Sequence, residues 1–209
     1  MYDPQMTIHY PSDSETLRAE IATAAARMIA EDGADYASAK RKAAKLILGN
    51  NKVRGDILPD NEQIEEEVRI YNELFLGELQ PARLAHLRQL ALRMMTELEQ
   101  FKPYLTGAIL NGTAGAHTDI HLQLFTDSAK EVEIFLLNKN IQFEVSETPH
   151  FKGRNFDAVE TLSFIWQNEG VHLAIYEIDD VRGAVKSKGS GRLERANIDV
   201  VRNLLNQPT

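Results

Sequence analysis

The sequence has no cysteine among its 209 residues, which excludes disulfides, thiolate nucleophiles and cysteine-based zinc sites. That absence fits a reducing compartment, and the cytoplasm is the expected location. No run of eighteen apolar residues occurs, and the opening "MYDPQMTIHYPSDSE" lacks a basic start followed by an apolar core. Neither a membrane span nor a signal peptide is expected. Positive charge is also scarce: 23 Lys and Arg against 31 Asp and Glu give a formal net charge of −8, so nucleic acid is unlikely as a generic ligand. No internal repeat is present. With 43% hydrophobic and 26% charged residues, the chain suits one large domain or a small pair with a true core.

The first half reads as helical. Residues 1 to 13 carry two prolines and read as a loose arm. Ser12 with Glu15 then has capping-box spacing, and Leu17, Ile21, Ala24, Ala25, Met28 and Ile29 form an apolar stripe that runs to Gly33. A second helix covers Tyr36 to Leu48 and stops at Gly49. After the loop "GNNKVRGDILP", Asp60 with Gln63 marks a third start, ahead of Ile64, Val68, Tyr71, Leu74 and Phe75. Pro81 suits the first turn of a fourth helix carrying Leu84, Leu87, Leu90, Ala91, Met94, Met95, Leu98 and Phe101.

From Tyr104 the texture changes to short apolar runs, "YLTGAIL", "DIHLQLF", "IQFEV", "ETLSFIW" and "VHLAIYE", of strand length. "SAKEVEIFLLNKN" reads as a short helix between the second and third runs, and "QNEG" as a hairpin turn between the last two. An amphipathic helix with Ile198, Val201, Leu204 and Leu205 closes the chain. The expected fold is α+β, a helical N-terminal region (1–80) followed by a small mixed β-sheet domain (81–209).

The stretch "AILNGTAGAHTDIHLQLFTD" is the most chemically suggestive. Asp119 and His121 lie two apart on a strand and so share a face. Gly112 and Thr113 end the run before them, and Glu144 in "IQFEV" can supply a third ligand from another strand. These elements resemble the nucleotidyltransferase superfamily of the DNA polymerase β type, including its small stand-alone bacterial proteins, over residues 82 to 178. The resemblance implies a sheet of nucleotidyltransferase type. It further implies that Asp119, His121 and Glu144 hold Mg²⁺ or Mn²⁺ and form the catalytic set, while Gly112 and Thr113 meet the phosphates of a nucleoside triphosphate. The acceptor stays unidentified.

Two departures from that pattern are visible. His121 stands in the place of the second carboxylate and suits Mn²⁺ better than the harder Mg²⁺. Only "AGAHT" separates Thr113 from Asp119, a loop about half the family's usual length. Asp127 and Glu160 are the carboxylates in reserve. The alternative implied is a catalytically silent nucleotide- or protein-binding module with a degenerate metal site.

Other residues offer different readings. Asn-Gly is a common turn pair, and His117, Asp119 and His121, joined by His150 or His172, could instead bind Zn²⁺ or Mn²⁺. Arg182, Lys186, Lys188 and Arg192 sit on a Gly-rich segment that reads either as a phosphate-gripping arm, with Lys186, Lys188 and Arg192 on nucleotide, or as a solvated linker. Lys40, Arg41, Lys42 and Lys45 surround one helix and read as a solvated basic face.

Overall fold

The computed structural model describes residues 13–49, 57–77, 79–153, 155–184 and 194–206. Ser12, the arm before it and most of the loop after Gly49 lie outside the described residues, as do Lys186, Lys188 and Arg192. The chain divides into two compact units, Met1–Leu76 and Gly77–Thr209.

The first unit contains α1 (Asp13–Asp32), α2 (Tyr36–Leu48) and α3 (Asn61–Phe75). Gly33 takes φ +67°, and the amides of Gly33 and Ala34 reach back to the carbonyls of Ile29 and Met28, which ends α1. Asp35 caps α2 through the Ser38 amide, and the expected capping box of Asp60 and Gln63 opens α3 with both of its hydrogen bonds formed. The core is built mostly of small side chains, with Ala22, Ala25, Ala26, Ala39, Ala43 and Ala44 beside Ile21, Ile64 and Val68.

The second unit opens with α4 (Leu79–Glu97) and continues through β1 (Tyr104–Thr106), α5 (Ala108–Asn111), β2 (Ile120–Phe125), α6 (Ala129–Asn138), β3 (Glu144–Thr148), β4 (Val159–Trp166), β5 (Glu169–Tyr176), α7 (Val181–Ala184) and α8 (Ile198–Asn206). Among the described residues the strands form one five-stranded mixed sheet in the order β1-β2-β5-β4-β3, in which β2 and β5 are parallel and the other pairs antiparallel. The fold is therefore α+β.

Two of the expected strands are placed differently. "YLTGAIL" is a strand only to Thr106: Gly107 turns the chain at φ +73°, and Ala108–Asn111 coil into a helical turn that closes at Gly112, φ +88°. "IQFEV" enters the sheet only at Glu144, because Ile141 is turned back by its amide bond to the Leu136 carbonyl at the end of α6. The hairpin is as expected. Gln167 and Asn168 both have positive φ, +50° and +66°, as a two-residue turn matched to strand twist requires.

Alternation of side chains gives the sheet two unlike faces. Leu105, Leu122, Leu173 and Leu162 line up across four strands and are buried with Leu87, Leu90 and Met94 of α4, Val132 and Leu136 of α6 and Val201 of α8. Each of these positions has a polar neighbour one residue along, on the other face. There Thr106, His121, His172, Ser163 and Glu144 form a single register row across all five strands.

Candidate functional site

The polar row is the centre of the candidate site. His172 donates or accepts at both ring nitrogens: Nε2 lies 3.1 Å from Asp119 Oδ2, and Nδ1 lies 2.8 Å from Ser163 Oγ. The tautomer that gives Nε2–H to the carboxylate leaves Nδ1 free to accept the Ser163 hydroxyl proton. Asp119, His172 and Ser163 therefore form one hydrogen-bonded chain over three adjacent strands. His121 stacks on His172, with ring centroids 4.8 Å apart and planes 16° from parallel.

His121 is exposed on the sheet face, yet its imidazole is held below the usual histidine range. Packing over the sheet disfavours the charged form most, a charge on His172 opposes a second one, and Asp119 works in the opposite direction.

The position of Asp119 depends on Gly170 and on α4. Gly170 sits beside Asp119 across the β2–β5 pairing, and a Cβ there would fall 2.3 Å from Asp119 Oδ1. The missing side chain is thus the space the carboxylate occupies. The loop leading to Asp119 is held by its carbonyls. Gln80 Nε2 donates to Gly112 O and Ala114 O at 3.0 and 2.8 Å, Arg88 Nε to Ile109 O at 3.1 Å, and Arg83 Nη2 to Ala116 O at 3.0 Å. Arg83 also makes a bidentate pair with Glu169 at the hairpin turn, and one guanidinium thereby ties the loop to the start of β5. This pair holds the Glu169 carboxyl below the usual carboxylate range.

A cavity of about 510 Å³ opens beside the chain, with Asp119, Gly170 and His172 on one side and Phe143, Glu144 and Ile165 on the other. Ser163 belongs both to this cavity and to an adjoining groove of about 400 Å³ that holds Thr106, His121, Gln123, Ser146, Thr148 and Thr161.

The residues singled out by sequence are only partly brought together. Asp119 and His121 share one end of β2, as expected. Glu144 does line the same cavity as Asp119, but β5 and β4 intervene, and three strand spacings of ~4.8 Å alone separate the two positions by about 14 Å. They are not side by side and cannot share one ion.

The amides of Gly112, Thr113 and Ala114 all turn inward to the Ala108 carbonyl, at 3.0, 2.9 and 3.1 Å, and Thr113 is buried with its hydroxyl on Asn111. The expected phosphate contact is thus replaced by the turn's own hydrogen bonds. His150 lies with Asp180 instead, Nε2 to Oδ2 at 3.1 Å, and does not join His117 or His121. Among the described residues no group of three His, Asp or Glu side chains is placed to hold a metal ion. Glu160 faces the helix side of the sheet, and Asp127 follows the far end of β2.

Sequence reasoning missed Ser163 and undervalued His172. The signal was available, since a two-residue turn at Gln167 and Asn168 pairs Trp166 with Glu169 and hence Ser163 with His172. Among the described residues no helix is long and apolar enough to cross a membrane. Comparison of the chain with known protein families, with curated proteins and with solved structures finds no match.

Proposed function

We propose that the open sheet face catalyses acyl transfer from small carboxylic esters to water, with Ser163 as nucleophile. The carrying observation is the hydrogen-bonded chain Asp119–His172–Ser163. His172 Nδ1 takes the Ser163 proton as Oγ attacks the ester carbonyl. The bond to the alkoxy group then breaks, and that group leaves with the proton from Nδ1. Water hydrolyses the acyl-serine by the same transfers in reverse order. Asp119 fixes the ring tautomer through Nε2–H and stabilises the imidazolium while it exists. Relative to familiar serine hydrolases the two ring nitrogens exchange partners, which leaves the proton bookkeeping unchanged.

The test is hydrolysis of 4-nitrophenyl acetate by the full chain, together with labelling by a fluorophosphonate. A single phosphonyl adduct on Ser163 is expected, with loss of at least ~100-fold of the rate in Ser163→Ala, in the range of a general-base contribution. Unchanged hydrolysis in that variant, or labelling elsewhere, overturns the proposal.

The second reading is nucleotidyl transfer, for which the supporting observation is that Asp119 and Glu144 line one cavity. It requires two separate metal positions or a movement of β3. It predicts that a nucleoside triphosphate with Mn²⁺ raises the melting temperature of wild type but not of Asp119→Asn. Absence of any shift at millimolar triphosphate discards it.

A further inference from the structure

The cavity next to Ser163 has a distinct electrical character. Its two ionisable carboxylates, Asp119 and Glu144, stand on opposite walls, and neither lysine nor arginine is among its lining residues. Asp119 gives one oxygen to His172, while Oδ1 lies over Gly170 at the cavity wall. Arg83 has its terminal nitrogens on Glu169 and the Ala116 carbonyl, and its charge also reaches Asp119, which leaves Glu144 as the carboxylate of the cavity with no such cation acting on it among the described residues. Phe143, Phe164 and Ile165 add apolar surface to the same space. The lining is therefore acidic and partly apolar, about 510 Å³ in volume. A carboxylate-bearing or phosphorylated molecule would be repelled there. An alkylammonium group can bury its methyls against the apolar wall formed by Phe143 and Ile165 while its charge meets Glu144, with Asp119 adding only a longer-range attraction.

We propose that the site selects esters bearing a quaternary or primary alkylammonium group, with Glu144 as the residue that sets this preference. The inference rests on the acyl-transfer reading for its turnover, but recognition of the cation can be measured separately. Glu144 directly opposes Ser163 in the β3–β4 register. A cation bound near Glu144 therefore lies one strand from the nucleophile, close enough to present an ester linked to it by a short chain.

Two measurements test it. The first compares the choline ester of acetic acid with its uncharged isostere, 3,3-dimethylbutyl acetate. kcat/KM is expected to favour the cationic ester by about 10-fold, mostly through KM, and the ratio should shrink toward 1 as salt screens the carboxylates. Glu144→Gln should reduce the ratio to about 3 or less. Glu147→Gln, which alters β3 on the opposite face, should leave it unchanged. Equal turnover of the two esters by wild type overturns the inference while sparing acyl transfer.

The second measurement uses Ser163→Ala, in which no turnover is required, and compares choline with 3,3-dimethylbutan-1-ol by calorimetric titration. Binding of choline alone, weakened about 5-fold or more by adding Glu144→Gln, sustains cation recognition even if neither ester is hydrolysed, an outcome that removes only acyl transfer. Binding of neither compound overturns the inference. So does stabilisation by Mg²⁺ or Mn²⁺ without any effect of choline, which would return Asp119 to metal.

Discussion

At the scale of single residues the site depends on contacts that leave no composition signal. Gly170 is the sharpest case. Gly170→Ala would place a methyl 2.3 Å from Asp119 Oδ1 and push the carboxylate off His172. Ester hydrolysis is expected to fall by about 10²-fold or more, in the range of a lost orienting carboxylate, while far-ultraviolet dichroism stays that of the parent. Retention of full activity would show that Asp119 does not need that seat. His121 gives a second, pH-dependent prediction. Its folded pKa lies below the unfolded value of ~6.5, so the unfolded chain binds more protons and stability falls as pH drops through that value. His121→Gln should remove this component, seen as a smaller loss of melting temperature between pH 7 and pH 5. At this scale the sequence disclosed Asp119 by its place at a strand start. The partners of Asp119 were hidden because they arrive from β4 and β5, more than forty residues later.

At the scale of elements the legible parts were those with local causes. The Asp60 and Gln63 box, the Gly33 and Gly49 stops and the two-residue hairpin turn each follow from three or four neighbouring residues. The misplaced strands have tertiary causes. β1 stops after three residues where the chain must turn into the loop that Gln80, Arg83 and Arg88 hold, and β3 is displaced because Ile141 still belongs to the end of α6. The Arg83–Glu169 pair fastens two such elements. Removing one partner leaves the other half-buried and uncompensated, so Glu169→Gln should cost about 1–3 kcal/mol in urea unfolding. Because the folded pKa of Glu169 is lowered, the contribution of the pair is present above the unfolded value of ~4.3 and is lost as pH falls through the lower folded value. The deficit of Glu169→Gln relative to wild type should therefore narrow below about pH 4. A constant deficit down to pH 3 would assign the effect to packing alone.

At the scale of the whole molecule the two units have cores of different substance. The sheet unit buries leucines, methionines and isoleucines between sheet and helices, whereas among the described residues six of the nine buried side chains in the core cluster of the helical unit are alanines. Burial stabilises by roughly 25 cal/mol per Å² of apolar surface, so an alanine core supplies far less per residue. Thermal unfolding should proceed in two transitions, with the amides of α1, α2 and α3 losing hydrogen-exchange protection before those of β2 and β5. A single transition with uniform protection would show that the units melt as one. The alanine-rich stripe of α1 was readable in the sequence. The division expected at 80/81 and the one after Leu76 lie four residues apart, and both leave nearly all of α4 with the sheet unit, against whose leucines it packs.

The two margins of the sheet are finished differently. Beyond β1, Ala196 exchanges both backbone hydrogen bonds with Leu105, at 2.8 and 2.9 Å, and closes that side. β3 is the last strand on the other side, and among the described residues its outer backbone meets no further strand. What it presents is Glu144 and Glu147, two like charges on one short exposed strand. A second copy arriving edge to edge would bring these carboxylates against like charges, so Glu144, which lines the cavity, and Glu147, on the opposite face, together disfavour polymerisation through the sheet edge. Neutralising both, as Glu144→Gln with Glu147→Gln, should therefore lower the concentration at which light scattering appears on warming, even where the fold itself is no less stable.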